Sequence, residues 1–205
     1  MKFFSLIIFL SFAEINCDEF KFFGKQKIDF LKKNIENFPS SKILSKDTIL
    51  SIVSPEYLTF SDFKNKVEIS FIYTFFGVGN NEFKEISFGP FQMQLEFIDK
   101  YLKISKKDIF SNSDLNKYDS TNYQILIENL HELNDTEFQW KILKTFVDHN
   151  YKFISENLSG LEKLKILIRI YNSGNSELKY NKSIYSKISC KNLTYQDWCL
   201  EMLKW

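Results

Sequence analysis

Apolar residues recur along most of this chain at spacings of three and four rather than in alternation, as in Ile28, Leu31 and Ile35 or in Ile125, Leu126, Leu130 and Leu133. That period predicts helices. One helix begins near Ser45 or Asp47, either of which can cap it, carries Ile49, Leu50, Ile52 and Val53, and ends close to Pro55-Glu56. A second opens at Ser61 and runs through Val67, Phe71, Ile72 and Phe75 until Gly77 and Gly79 stop it, with Phe75 and Phe76 entering the core. Leu95, Ile98, Tyr101 and Leu102 predict a third, and longer helical patterns span Asn122 to His131 and Glu137 to Ile154. From Ser159 to Asn172 the apolar residues Leu161, Leu164, Ile166, Leu167, Ile168 and Ile170 lie nearly all round, which predicts a helix at the centre of the fold. A last helix opens at Thr194, with Asp197 three residues on as in a capping box, and holds Trp198, Leu200, Met202 and Leu203. Asn112 to Tyr118 and Gly174 to Ser189 read as loops, and Glu82 to Ile86 as a short strand or irregular chain. The fold class is mostly α, a single helical domain.

Composition sharpens that picture. Hydrophobic residues make up 44% of the 205 positions and Phe alone numbers 22, enough for one dense core, and no Pro- or Gly-rich linker divides the chain. The net charge of +1 gives no basic surplus for nucleic acid. Almost all basic residues are lysines. Arg169 is the sole arginine, either a survivor of that bias or a planar fork for a carboxylate.

Lys2 followed by the apolar run Phe3 to Phe12 reads as a secretory signal, too short to span a bilayer, with cleavage near Ala13 or Cys17. The domain division is therefore 1–17 as signal and 18–205 as mature domain, secreted or periplasmic. A lipid anchor at Cys17 ranks second, because Glu14-Ile15-Asn16 lacks the small apolar residues expected before it. Cys190 and Cys199 are either bonded in an oxidising compartment or two small buried hydrophobes. The chain has no Cys-x-x-Cys pair and no His-Glu-x-x-His run, so no metal and no cofactor is expected. His131 and His149 lie near no serine or cysteine nucleophile signature and read as surface or packing residues, and Tyr195, Trp198 and Trp205 as core aromatics ahead of sugar-stacking ones.

Three segments carry candidate chemistry. Ile49 to Glu56 is an apolar helix ending in a glutamate, Ser87-Phe88-Gly89-Pro90-Phe91-Gln92 is a polar turn, and Tyr171-Asn172-Ser173-Gly174 closes a helix. In their order they resemble the lysozyme-like superfamily of soluble lytic transglycosylases and goose-type lysozymes, with its catalytic glutamate, its Ser-x-Gly-x-x-Gln signature and its Tyr-Asn-x-Gly motif. Tyr57 stands where that family usually has serine, Pro55 precedes the glutamate, and the interval from Glu56 to Gln92 is long, which brings in Glu68 as a rival acid.

The resemblance implies a lysozyme-like fold and an exported enzyme that cuts peptidoglycan glycan strands as a monomer. Breaking a glycosidic bond requires an acid that still holds its proton near neutrality, and a carboxyl at the edge of apolar helices is poorly solvated when ionised. The family's single glutamate donates that proton and then takes one from the sugar's own 6-hydroxyl, which closes an anhydro ring, so a second carboxylate is not needed. Glu56 or Glu68 is the implied catalytic residue, and Ser87, Gly89, Phe91, Gln92, Tyr171 and Asn172 the substrate-binding set. Gly89 admits close backbone approach and Gln92 can both donate and accept. A hydrolytic lysozyme, or a non-catalytic exported cell-wall-binding protein with the same fold, are the alternatives.

Overall fold

The computed structural model describes residues 17–105, 123–173 and 195–204, and within them the protein is mostly helical. The helices are α1 (Cys17–Asn34), α2 (Lys46–Thr59), α3 (Asp62–Gly77), α4 (Leu95–Ser105), α5 (Tyr123–Glu128), α6 (Leu130–Leu133), α7 (Thr136–Asn150), α8 (Gly160–Ser173) and α9 (Tyr195–Met202). Between α3 and α4 two short strands, β1 (Ser87–Phe88) and β2 (Met93–Gln94), pair antiparallel with Ser87 opposite Gln94 and Phe88 opposite Met93. Among the described residues no helix is long and apolar enough to cross a membrane.

Local chemistry sets where the helices begin. Ser45, extended at φ −65 and ψ 157, accepts the Thr48 amide at 3.2 Å, so it and not Asp47 caps α2. Ser61 does the same for Lys64 in α3, and Asp135 for Phe138 in α7. Asn129 divides the expected Asn122–His131 helix into α5 and α6, its side-chain amide donating to the Ile125 carbonyl at 2.7 Å. Such a bond offers the backbone an alternative to the helical ladder. The Glu137–Ile154 pattern is α7 followed by a 3-10 turn at Tyr151–Phe153, and Glu82–Ile86 is neither strand nor irregular but falls mostly in a 3-10 turn, Asn81–Glu85.

Two further expectations, on α2 and on the centre of the fold with the Phe75-Phe76 pair, are corrected. The first concerns the end of α2, which runs to Thr59, a turn beyond Pro55-Glu56. Pro55 sits inside the helix, where it forgoes a backbone bond at a cost of about 3 kcal/mol; burial of Tyr57 and Leu58 on the following turn offsets it.

The second concerns the centre of the fold. Helix α8 buries Leu164, Leu167 and Ile168 but leaves Leu161 at 51% exposure, so it lies against the body on one side. Helix α2 takes the centre: every residue from Ile49 to Leu58 is buried except Glu56, and α1, α7, α8 and α9 all pack on it. Phe75 and Phe76 are half-buried against the core rather than inside it. The expected loops 112–118 and 174–189, the signal segment, Cys190 and Trp205 lie outside the described residues.

Candidate active site

Glu56 is the one half-buried residue in an otherwise buried stretch of α2. A carboxylate is rarely kept in such company without a reason, because burying charge is costly unless it is matched. It opens onto a cleft of about 130 Å3 lined by Glu56, Ser87, Gln92, Met93, Gln94, Phe97, Tyr171 and Asn172. Three segments far apart in sequence thus meet: the α2 glutamate, the strand-turn-strand hairpin and the end of α8.

The hairpin owes its shape to its turn. Gln92 N–H donates to the Gly89 carbonyl at 3.0 Å, closing a four-residue turn with Pro90 second, the position its fixed φ suits. Gly89 has φ +78, and a Cβ there would lie 2.0 Å from Gln139 Nε2, so glycine is required by both conformation and space. Gln92 itself holds a left-handed φ of 52, a strain the surroundings must sustain.

What sustains it is a set of buried amides. Gln139 of α7, fully buried, accepts the Phe91 N–H at 2.9 Å and donates to the Phe88 carbonyl at 3.0 Å. Asn65 of α3 accepts the Gly89 N–H at 2.7 Å and donates to Asn134 at 2.9 Å. Phe91 is fully buried under the turn, with its ring 6.4 Å from Tyr57 and 6.5 Å from Trp140. Tyr57 therefore ties α2 to the hairpin.

Tyr171 reaches the hairpin from α8. Its hydroxyl donates to the Phe91 carbonyl at 2.5 Å, and its ring lies 5.3 Å from Phe97 and 5.7 Å from Phe146. Burial, followed by the nearby charges of Glu56 and Cys199, pushes its pKa well above the usual tyrosine range. The phenol stays neutral and its one proton is spent on the hairpin. Cys199 is a buried free thiol that donates to the Ile52 carbonyl at 3.6 Å; burial and then Glu56 push its pKa up as well. Both side chains lie near enough to Glu56 to feel its charge.

Glu68 occupies a different place. It sits on α3 behind Gln92, outside the residues that line the cleft, with Oε2 accepting Gln92 Nε2 at 3.2 Å and Oε1 3.4 Å from Lys64 Nζ. Burial raises its pKa, against the opposing pull of Lys64 and the Gln92 hydrogen bond. The structure thus gathers Glu56, Ser87, Gln92, Tyr171 and Asn172 around one space, sets Gly89 and Phe91 beneath it as backbone and packing groups, and leaves Glu68 as a flank.

Outside the cleft, Arg169 is exposed and donates through Nε to the Gln196 amide oxygen at 3.0 Å, bracing α8 against α9. His131 is exposed, while His149 packs on Tyr101 and Phe153 with its pKa lowered by burial and then by Lys100 and Lys152. Trp198 is fully buried. Among the described residues no group of His, Cys, Asp and Glu gathers to hold a metal.

Sequence reading missed Gln139, Asn65 and Lys64. Gln139 had a signal: it continues the apolar stripe of Ile142, Leu143 and Phe146, and a polar residue on such a stripe must find buried partners. Neither a protein-family model, a curated protein nor a solved structure matches this chain.

Proposed function

We propose that this protein is an exported peptidoglycan-cleaving glycosidase with a lysozyme-like helical domain, acting as a lytic transglycosylase with Glu56 as general acid and base. The observation that carries the reading is the shared cleft: Glu56, Ser87 with Gln92, and Tyr171 with Asn172 come from separate segments and line one space. Among the described residues lining it, Glu56 is the carboxylate, which suits a reaction needing a single acid.

In that reaction a glycan strand lies across the hairpin, and the Glu56 carboxylic acid gives its proton to the glycosidic oxygen as the bond to the anomeric carbon breaks. The resulting Glu56 carboxylate then takes the proton of the sugar's 6-hydroxyl, whose oxygen bonds to the anomeric carbon and closes the anhydro ring. Because the attacking hydroxyl belongs to the same sugar, its effective concentration is high and no water need be held. Gln92 offers its amide oxygen and Asn172 its amide to the sugar, while Gly89, packed against Gln139, and Phe91 hold the turn from below. Tyr171 is a positioning residue, since its hydroxyl proton is committed to the hairpin.

The test is incubation of the mature protein with purified peptidoglycan and mass analysis of the released fragments. Anhydro-muramyl ends, lighter than reducing ends by one water, are expected. Reducing ends would make the protein a hydrolytic lysozyme, and retention on cell wall with no release would make it a binding protein of the same architecture.

A further inference from the structure

Gln92 is gripped by groups that consume most of its hydrogen-bonding capacity. Its Nε2 carries two protons, and these go to Glu68 Oε2 at 3.2 Å and to the Gly89 carbonyl at 3.0 Å. Its Oε1 receives Lys64 Nζ at 2.7 Å, and Lys64 in turn lies 3.4 Å from Glu68 Oε1. This arrangement fixes which end of the amide is oxygen. Reversed, the amide would set its NH2 against an ammonium and its oxygen against a carboxylate, and both contacts would repel.

A lysine–glutamate pair one helical turn apart contributes little to stability by itself. Here the pair brackets a side chain that lines the cleft, and the capacity left on that side chain is the second lone pair of Oε1.

Resting on the saccharide reading above, we propose that Lys64 and Glu68 are positioning residues that lock Gln92 as an acceptor, so that the cleft demands a hydrogen-bond donor from its ligand at this point: a sugar hydroxyl or an acetamido N–H. Glu68, on this account, does not give its proton to the glycosidic oxygen. It holds the residue that reads the sugar. Groups without a donor, such as an ether or ester oxygen, are rejected there because they leave the Gln92 oxygen unmatched.

The experiment uses the full mature chain, labelled with nitrogen-15, as wild type and as Lys64→Met, Glu68→Leu and Lys64→Arg. Two quantities are read: solvent exchange of the Gln92 side-chain amide protons by NMR, and affinity for an N-acetylglucosamine tetramer by calorimetry. Lys64 is exposed and Glu68 half-buried, and a melting curve for each variant confirms that the fold is kept. Slow amide exchange is expected in wild type, faster exchange with about tenfold weaker binding in Lys64→Met and Glu68→Leu, and recovery in Lys64→Arg, which restores a donor to Oε1. Unchanged exchange in both variants, or faster exchange with unchanged affinity, overturns the clamp. A wild type that binds no tetramer although its Gln92 amide is held and loosens in the variants overturns the saccharide reading and the ligand assignment with it, leaving the clamp as geometry alone.

Discussion

Glu56 and the Ser87–Gln94 hairpin line the same cleft, and they are held there by opposite means. Around Glu56 the wall is apolar: α2 is buried on nearly every side by α1, α7, α8 and α9, and the carboxylate stands at its open edge. The hairpin wall is built from polar groups, with Gln139 and Asn65 bonded to its backbone and Lys64 and Glu68 to its one critical side chain. Apolar packing of the rest of α2 fixes where the Glu56 backbone stands at the cleft. A polar wall fixes direction, which is what a residue reading hydroxyls and amides needs.

That contrast can be broken by substitution. Ile52→Ala in α2 removes a fully buried side chain and should cost about 2–5 kcal/mol of stability, read as a lower melting temperature of the whole domain. Gln139→Leu should cost about 2–4 kcal/mol by orphaning the Phe91 N–H and the Phe88 carbonyl. Its signature differs: hydrogen exchange should rise chiefly at residues 88–92, and equal loosening across α2 would show that the two walls are not separate.

The smallest effect sharpens the polar wall. Burial places the folded pKa of Glu68 above its ordinary value of 4.5. A raised carboxylate pKa contributes stability that is full below the unfolded value and is lost as pH rises through the folded one. Relative to Glu68→Gln, wild type should therefore lose stability as pH climbs from about 4.5, and melting curves that run parallel across that range would remove desolvation as the governing cause at this site.

The apolar wall was the more legible of the two. The Ser45 cap and the run Ile49 to Val53 announce α2, and the Gly89-Pro90 turn and Tyr171-Asn172 are local signals that need no knowledge of distant chain. The end of α2 is not legible, because burial of Tyr57 and Leu58, which only the fold reveals, carries the helix past Pro55. The peripheral place of α8 is hidden from the sequence, because apolar residues all round a helix do not reveal which neighbours arrive to cover them.

The clamps on the hairpin could not be placed from sequence. Lys64 and Asn65 lie more than twenty residues before the turn and Gln139 nearly fifty after it, and only the fold brings them to it. Glu68 is legible as a carboxylate near the site, but its bond to Gln92 is not.

The central claim is that the carboxylate at the apolar wall does the chemistry and the one at the polar wall does not. The direct measurement is the rate of glycan release from peptidoglycan by wild type, Glu56→Gln and Glu68→Gln side by side, each checked for an unchanged fold. The account predicts a loss of about 10²–10⁴-fold for Glu56→Gln, the range for removing a general acid, against roughly tenfold or less for Glu68→Gln. Full activity in Glu56→Gln, or abolition in Glu68→Gln alone, would contradict it.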